Sequence, residues 1–345
     1  MKKACIFMVI LSLLVVSSGC SPSNSAAGVE PSKSSDDTVY TLSFGTYNPE
    51  QSADGVAAER FKEYAEEASK GRLKINVYHN STLGNANTQI EGITMGTQDF
   101  FLVSPELLTS WEPMFSVVGL YFLYDNTDHL RAFYKSDLFS DAVANLEKQN
   151  MLLMDKEWKG ELGPYRVLVS ADKLNSYDDI KGKRVRIYDN PTQHAIWEAF
   201  ETSSFVVSYS EIYLALQQGM ISVVEVPMNV VRANSYCDIA KYVTKFPSYI
   251  QLYNIIGNKS KVDSLPEDLQ QILYKASTEA GNAYTARVKG QLQEDLAFLE
   301  GQGVTINNDM DLEPFRKKME PVYEMLAKNG TIPEGIVEAT RALKY

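Results

Sequence analysis

Apolar runs of strand length alternate with stretches of helical periodicity along most of the chain. The pattern predicts a strand at 40–47, a helix at 53–69, a strand at 73–78, a helix near 87–95 and a strand at 99–104. Strands that alternate with helices of about 10 to 15 residues favour parallel pairing. The first part of the chain therefore predicts an α/β fold.

The alternation pauses between Trp111 and Met151 and then resumes as a second α/β unit. Its pattern predicts strands at 166–170 and 184–188 and a helix at 191–200. Two units agree with the length of 345 residues, because domains usually hold about 100 to 200 residues.

Two Ser-x-x-Glu segments, at 208–211 and 264–267, have the spacing of a helix capping box. The first predicts a helix that ends near Gly219. The second opens a helical apolar repeat that continues to Gly301. Such a helix would be about 50 Å long, so we expect it to contact both units and to favour hinge motion between them.

The N-terminal residues carry the pattern of an export signal. Two lysines precede an apolar run at 4–16, which is too short to cross about 30 Å of hydrocarbon. Ser17-Ser18-Gly19-Cys20 then resembles a bacterial lipobox, although Ser17 replaces the usual larger aliphatic residue. We predict a signal peptide at 1–19, followed at 20–38 by a lipidated Cys20 and a flexible tether. Ordinary secretion with an unmodified cysteine is the alternative.

Composition and charge exclude several classes of protein. Hydrophobic residues make up 44% and charged residues 22%, which is typical of globular proteins. Lys and Arg number 33 against 44 Asp and Glu, for a net charge of −11, and this acidic balance disfavours nucleic acid as a partner. Three cysteines and three histidines are few for a disulfide framework or a metal site. We therefore predict no metal and no cofactor.

Catalytic motifs are absent from the sequence. It contains no Gly-x-Ser-x-Gly, no Cys-x-x-Cys, no His-Glu-x-x-His and no phosphate-binding glycine loop. The three histidines lie on different predicted elements. We predict that the protein is not an enzyme, and an extracytoplasmic enzyme remains an alternative.

Arginines inside predicted strands are the main candidates for binding chemistry. Arg166 lies in the strand at 166–170, while Arg184 and Arg186 share one face of the strand at 184–188. An arginine among apolar neighbours must be paired, and its planar guanidinium group matches a carboxylate. Two interpretations stay open from the residues alone: an internal ion pair, or a site for an organic anion.

Five short segments match the motifs of one known family. Residues 179–186 resemble its "DlkGlKiR", and 210–219 resemble its "sEvYtALqqG". Residues 83–84 and 96–99 resemble "qLG" and "lGtiD", and 265–270 resemble the "lPedlq" that opens a long helix. On these motifs the chain resembles the solute-binding proteins of TRAP transporters, the DctP family.

The resemblance implies an α/β, two-lobed fold like that of periplasmic binding proteins, with a long helix that spans both lobes. We expect lobe I to comprise 39–162 and about 252–285, and lobe II to comprise 163–251 and about 286–345. The family closes on an organic anion and delivers it to a sodium-driven symporter with a large and a small membrane subunit. The resemblance therefore implies these partners for this chain.

The resemblance also implies candidate ligand contacts. The family arginine that holds the substrate carboxylate falls on Arg186, a second family arginine falls on Arg166, and an aromatic position falls on Tyr209. Further candidates follow predicted strands of the first unit, where α/β ligand crevices form, although simple loop polarity would also explain them. These are Tyr47, Asn48, Ser104 and Glu106.

One ligand-holding segment departs from the family pattern. The family's "vDGqENP" reads Ile-Ser-Val-Val-Glu-Val-Pro at 221–227, so Val226 replaces an asparagine that usually helps to hold the carboxylate. Asn229 is the candidate substitute. We therefore expect an anion site with a less standard substrate, and we favour a sugar acid with one carboxylate.

Together these features predict a monomeric, lipid-anchored, extracytoplasmic binding protein for a small organic acid. Three alternatives stay open. They are a binding protein for a chemosensory receptor or another transporter, an extracytoplasmic enzyme, and a surface scaffold with no small-molecule site.

Overall fold

The computed structural model describes residues 38–163 and 165–345. The strands are β1 (Tyr40–Gly45), β2 (Leu73–Tyr78), β3 (Phe100–Val103), β4 (Met151–Leu153), β5 (Gly160–Glu161), β6 (Arg166–Ser170), β7 (Arg184–Ile187), β8 (Ser203–Val206), β9 (Val223–Pro227), β10 (Tyr242–Lys245), β11 (Leu252–Asn258) and β12 (Thr305–Asn307). The helices are α1 (Ala53–Ala68), α2 (Ala86–Met95), α3 (Phe115–Val118), α4 (Thr127–Lys135), α5 (Asp137–Lys148), α6 (Tyr177–Ile180), α7 (Pro191–Ala199), α8 (Ile212–Gln217), α9 (Val230–Ala233), α10 (Lys259–Asp263), α11 (Glu267–Gly301), α12 (Glu313–Lys328) and α13 (Ile336–Arg341).

The strands form two sheets, one in each lobe. The first sheet has the order β2-β1-β3-β11-β4, with β5 paired to β11, and the second has the order β12-β10-β6-β9-β7-β8. The predicted α/β, two-lobed fold is therefore confirmed.

Strand pairing is mixed, so the prediction of parallel pairing is wrong in part. β1 pairs in parallel with β2 and β3, and β7 pairs in parallel with β8 and β9. By contrast, β11 runs antiparallel to β3, and β6 runs antiparallel to β9. The reason is that β6 and β11 each follow a passage of the chain from one sheet to the other. They start at the edge where β3 and β9 end.

The longest helix, α11, packs against both lobes. Its first part lies in the apolar core of the first sheet, together with residues of α1. The residues that it contributes there are Leu269, Leu273, Ala276, Ala280, Tyr284 and Val288. Its last part contacts the core of the second sheet through Leu292, Leu296 and Leu299. The prediction of one long helix that spans both lobes is confirmed.

The two predicted capping boxes do not form. The Ser208 hydroxyl donates to the Glu211 carboxylate instead of capping backbone amides, and a 3₁₀ turn precedes α8. α11 starts after Pro266 with no side-chain cap, because Ser264 closes the preceding helix and donates to the Lys261 carbonyl at 2.7 Å. The spacing alone therefore did not identify the caps.

No helix in the described part of the chain is long and apolar enough to cross a lipid bilayer. The predicted signal peptide at 1–19 and Cys20 lie outside the described residues.

The last helix, α13, contacts α4, where His129 Nε2 lies 2.8 Å from the Thr340 carbonyl oxygen. The residue boundaries of the two lobes stay a prediction.

Candidate functional site

A cavity of about 290 Å³ is lined by residues of both sheets. The carboxyl ends of β1, β3, β7 and β9 meet there with the amino ends of β6 and β11. Such strand ends leave a crevice in α/β proteins. In the described ranges, no group of three or more His, Cys, Asp or Glu side chains is placed to hold a metal ion.

Arg166, at the start of β6, donates three hydrogen bonds to protein groups. Its Nε lies 3.0 Å from Glu225 Oε1, its Nη2 donates to the Glu225 carbonyl at 3.2 Å, and its Nη1 donates to Gln251 Oε1. Its guanidinium carbon lies 4.4 Å from the centroid of the Tyr249 ring. Burial alone would lower the pKa of Arg166, but the ion pair with Glu225 raises it. For Arg166 the internal ion pair is therefore the observed state.

Glu225, on β9, is also satisfied beyond this ion pair. Its carboxylate accepts hydrogen bonds from the hydroxyls of Tyr121 and Ser248. The residue is only 5% exposed. The Glu225 carboxylate therefore has one cation and two hydroxyl donors within the protein.

Gln251 extends this polar network to the first sheet. Its Nε2 donates to the Glu106 carboxylate and to Ser104 Oγ, the latter at 2.9 Å. Ser104 Oγ in turn donates to Glu106 Oε1 at 2.6 Å. Burial raises the pKa of Glu106, while the hydrogen bonds from Ser104 and Gln251 oppose this shift. The network thus runs from β9 to the end of β3.

Arg186, on β7, lies at the same cavity in a different state. Its Nε donates to the Val207 carbonyl at 3.0 Å, and no described carboxylate lies within ion-pair distance of the guanidinium group. The rings of Tyr188 and Tyr209 have their centroids 5.8 and 5.9 Å from its Cζ. Burial lowers the pKa of Arg186, yet an arginine keeps its charge in proteins. It is therefore a cation without a charged partner.

Six of the eight candidate ligand contacts line this cavity. They are Tyr47, Ser104, Glu106, Arg166, Arg186 and Tyr209. The rings of Tyr47 and Tyr209 lie 5.9 Å apart between centroids. Because Tyr47 follows β1 and Tyr209 follows β8, this contact joins the two lobes.

The other two candidates, Asn48 and Asn229, lie outside the cavity lining. Asn48 Nδ2 donates to Asp54 Oδ2 at 2.8 Å, and Asn48 Oδ1 accepts from Asn234 Nδ2 at 3.0 Å. Asn229 Nδ2 lies 3.4 Å from the Tyr284 hydroxyl. Both side chains make contacts within the protein.

Sequence reasoning missed several residues that line the cavity, among them Tyr188, Glu225, Tyr249 and Gln251. Glu225 had a usable signal, because an acid inside the run Val-Val-Glu-Val-Pro must be paired when it is buried. Tyr249 and Gln251 lie in the irregular segment before β11, where no periodicity marks a role.

Comparison with known proteins places the chain in a family. Residues 44–329 match the family model DctP, described as bacterial extracellular solute-binding protein, family 7. The chain is 26% identical over 310 residues to the 2,3-diketo-L-gulonate-binding periplasmic protein of Escherichia coli K12, covering 90% of this chain and 93% of that protein. It is 28% identical over 292 residues to the sialic acid-binding periplasmic protein of Vibrio cholerae, covering 84% and 89%.

A solved structure shows the same fold. The TRAP periplasmic solute-binding protein of Polaromonas sp. JS666, bound to D-erythronate, has a TM-score of 0.80 and 23% identity, covering 88% of this chain and 99% of that one. Family members are extracytoplasmic solute-binding proteins. Because the family model matches most of the chain, the protein belongs to the DctP family of bacterial extracellular solute-binding proteins, as its sequence motifs predict.

Proposed function

We propose that the protein captures a small organic acid through Arg186 and delivers it to a TRAP transporter with a large and a small membrane subunit. The observation that carries the proposal is the guanidinium group of Arg186, which lines the cavity without a carboxylate of its own. A ligand carboxylate would supply two parallel, charge-assisted hydrogen bonds. Lobe closure around the ligand would exclude water and strengthen them.

The remaining candidates have distinct roles in this proposal. Tyr188 and Tyr209 flank the Arg186 guanidinium group and would limit its motion before the ligand arrives. Tyr47 and Tyr209 would cover the ligand from the two lobes. Arg166 acts as a positioning residue, because its donors already hold Glu225 and Gln251 in place.

The named ligands of the relatives support an acid as the substrate. Those proteins are named for 2,3-diketo-L-gulonate and sialic acid, and the solved structure contains D-erythronate. Each of these molecules combines a carboxylate with hydroxyl groups. The same combination would suit a cavity whose polar lining consists of arginine, tyrosine, serine and carboxylate side chains.

We further propose that the protein is a monomer, that it catalyses no reaction, and that a lipid on Cys20 anchors it outside the cytoplasm. The lipid anchor is supported by the lipobox-like Ser17-Ser18-Gly19-Cys20, which follows an apolar run. Mass spectrometry of the mature N-terminus tests the anchor. An unmodified Cys20, or cleavage at another bond, would contradict it.

A thermal-unfolding screen of the purified protein against sugar acids, keto acids and dicarboxylates tests the main proposal. A ligand that binds only the folded state at roughly a hundredfold excess over its Kd adds about 2.7 kcal/mol of stability. Arg186→Gln should remove most of this gain, because losing one partner of a buried charge pair costs about 2 to 5 kcal/mol.

Arg184→Gln is the matched control for this screen. Arg184 lies on the same strand, but it is exposed and donates to the backbone carbonyls of Gly219 and Met220 at 2.8 and 3.2 Å. Equal loss of binding in both variants would contradict a specific role for Arg186. A recovered ligand that is chemically changed would indicate an enzyme, and the absence of any ligand would indicate a scaffold.

A further inference from the structure

Glu106 is a second charged group that the cavity leaves without a charged partner. The residue is 4% exposed, and no described arginine, lysine or histidine lies within ion-pair distance of its carboxylate. Oε1 accepts hydrogen bonds from Ser104 and Gln251. Oε2 has no hydrogen-bond partner among the described residues, although Glu106 lines the cavity. One carboxylate oxygen is therefore open to a bound molecule.

The charges that line the cavity do not favour a dianion. Five charged side chains line it among the described residues: Glu106, Arg166, Arg186, Asp189 and Glu225. Arg166 and Glu225 neutralise each other, and Asp189 is exposed. The charged groups that remain are one cation, the half-buried Arg186, and one buried carboxylate, Glu106. A second ligand carboxylate would find no free cation and would face a like charge.

Tyr47 connects these two groups in space. Burial raises the pKa of its hydroxyl, Glu106 raises it further, and Arg186 lowers it, so both charges act on the same ring. The Tyr47 hydroxyl is buried and makes no hydrogen bond to a described residue. Tyr47, Arg186 and Glu106 all line the same cavity, so a small molecule bound there lies near both charged groups.

Resting on the proposed function, we propose that Glu106 is a specificity-determining residue for acids with a single carboxylate. Arg186 takes that carboxylate, and Glu106 Oε2 accepts a hydrogen bond from a hydroxyl or ammonium group elsewhere on the ligand. Diacids are rejected at the same position. Ser104 and Gln251 already donate to Glu106 Oε1, and an ionised carboxylate only accepts hydrogen bonds.

Matched pairs of acids test this proposal by titration calorimetry with the purified protein. Erythronate and meso-tartrate differ only in whether the last carbon is a hydroxymethyl or a carboxylate group, and so do galactonate and galactarate. We expect the monoacid of at least one pair to bind more than about tenfold tighter than its diacid. An analogue of the monoacid with an ammonium group in place of the hydroxyl at the last carbon then distinguishes the two possible donors to Glu106. If the hydroxyl compound binds tighter, the donor is a hydroxyl group, and if the amino analogue binds tighter, it is an ammonium group.

In Glu106→Gln the affinities for the monoacid and the diacid should differ by no more than about threefold, mainly because the diacid gains affinity. Glu91→Gln is the matched control. Glu91 is exposed on α2 and does not line the cavity, so this variant removes the same charge and should keep the wild-type ratio. If Glu106→Gln does not fold, the wild-type ratio still decides the proposal.

The outcomes separate this proposal from the function on which it rests. A wild-type protein that binds each diacid as tightly as its monoacid, or an unchanged ratio in a folded Glu106→Gln variant, would overturn the role of Glu106 alone. The loss of all acid binding in Arg186→Gln would still support the function in that case. If no acid of either kind binds, or if Arg186→Gln binds normally, the proposed function fails and the specificity proposal fails with it.

Discussion

Arg166 and Arg186 lie in the same sheet and line the same cavity, yet their surroundings are opposite. Arg166 is 7% exposed and holds Glu225 in a 3.0 Å ion pair. Arg186 is half-buried and donates only its Nε to a protein group, the Val207 carbonyl. One arginine is held in an ion pair, and the other has no charged partner among the described residues.

Strand β9 separates the two arginines, because it lies between β6, which carries Arg166, and β7, which carries Arg186. Arg166 is opposite Pro227 and Arg186 is opposite Val224. Since side chains alternate between the faces of a strand, Glu225 shares the face of Arg166. Val224 and Val226 share the face of Arg186. The register of one strand thus decides which arginine is neutralised.

Of these substitutions, Arg166→Met should have the largest effect on the free energy of unfolding. This change leaves Glu225 buried without its cation, which should lower the free energy of unfolding by about 3 to 5 kcal/mol. Urea unfolding without ligand measures the effect. Adding Glu225→Gln should restore part of the loss, because it removes the unpaired charge and keeps an acceptor for Tyr121 and Ser248. A loss below about 1 kcal/mol would place Arg166 with the ligand-binding arginines instead.

Asp54, in α1, is a buried carboxyl group with no described cation beside it. It tests whether an unpaired buried charge lowers the stability of the fold at a second position. It is fully buried in the first turn of α1, its Oδ1 has no hydrogen-bond partner among the described residues, and burial raises its pKa from 3.8 to about 7. Between about pH 4 and pH 7, Asp54 therefore holds a proton in the folded state that it has released in the unfolded state. Its contribution to stability is therefore full below about pH 4 and is lost as the pH rises to about 7.

Asp54→Asn should remove this pH dependence. At pH 8 we expect the variant to exceed the wild type in unfolding free energy by about 2 to 4 kcal/mol, since one pKa unit corresponds to about 1.4 kcal/mol. At pH 4 the difference should be close to zero. Urea unfolding at a series of pH values compares the two proteins. Parallel stability curves would show that the carboxylate is already compensated.

Arg186→Met should have the smallest effect on the protein without ligand. Because the guanidinium group has no charged partner, its removal should leave the unfolding free energy unchanged or raise it by about 1 kcal/mol. Arg184→Gln, at an exposed position of the same strand, should stay within about 0.5 kcal/mol of the wild type. A loss above about 2 kcal/mol in Arg186→Met would mean that Arg186 stabilises the scaffold as Arg166 does.

Local patterns predicted most elements of the fold. The strands at 73–78 and 166–170 have their predicted bounds, and the helix predicted at 53–69 ends one residue earlier. Strand direction was not predictable in the same way, because it depends on which sheet the chain has just left. The positions of Ser104 and Glu106 at the cavity were expected, since the end of a buried strand is a local feature.

The sequence by itself determined the order of strands and helices, the long helix, the family and two arginines that line the cavity. Only the tertiary structure decided that Arg166 is paired while Arg186 and Glu106 are not. The partners Arg166 and Glu225 are 59 residues apart in the chain, and Gln251 and Glu106 are 145 apart. Polar groups so far apart in the sequence meet only when strand register and lobe packing bring them together, and neither is encoded in a local pattern.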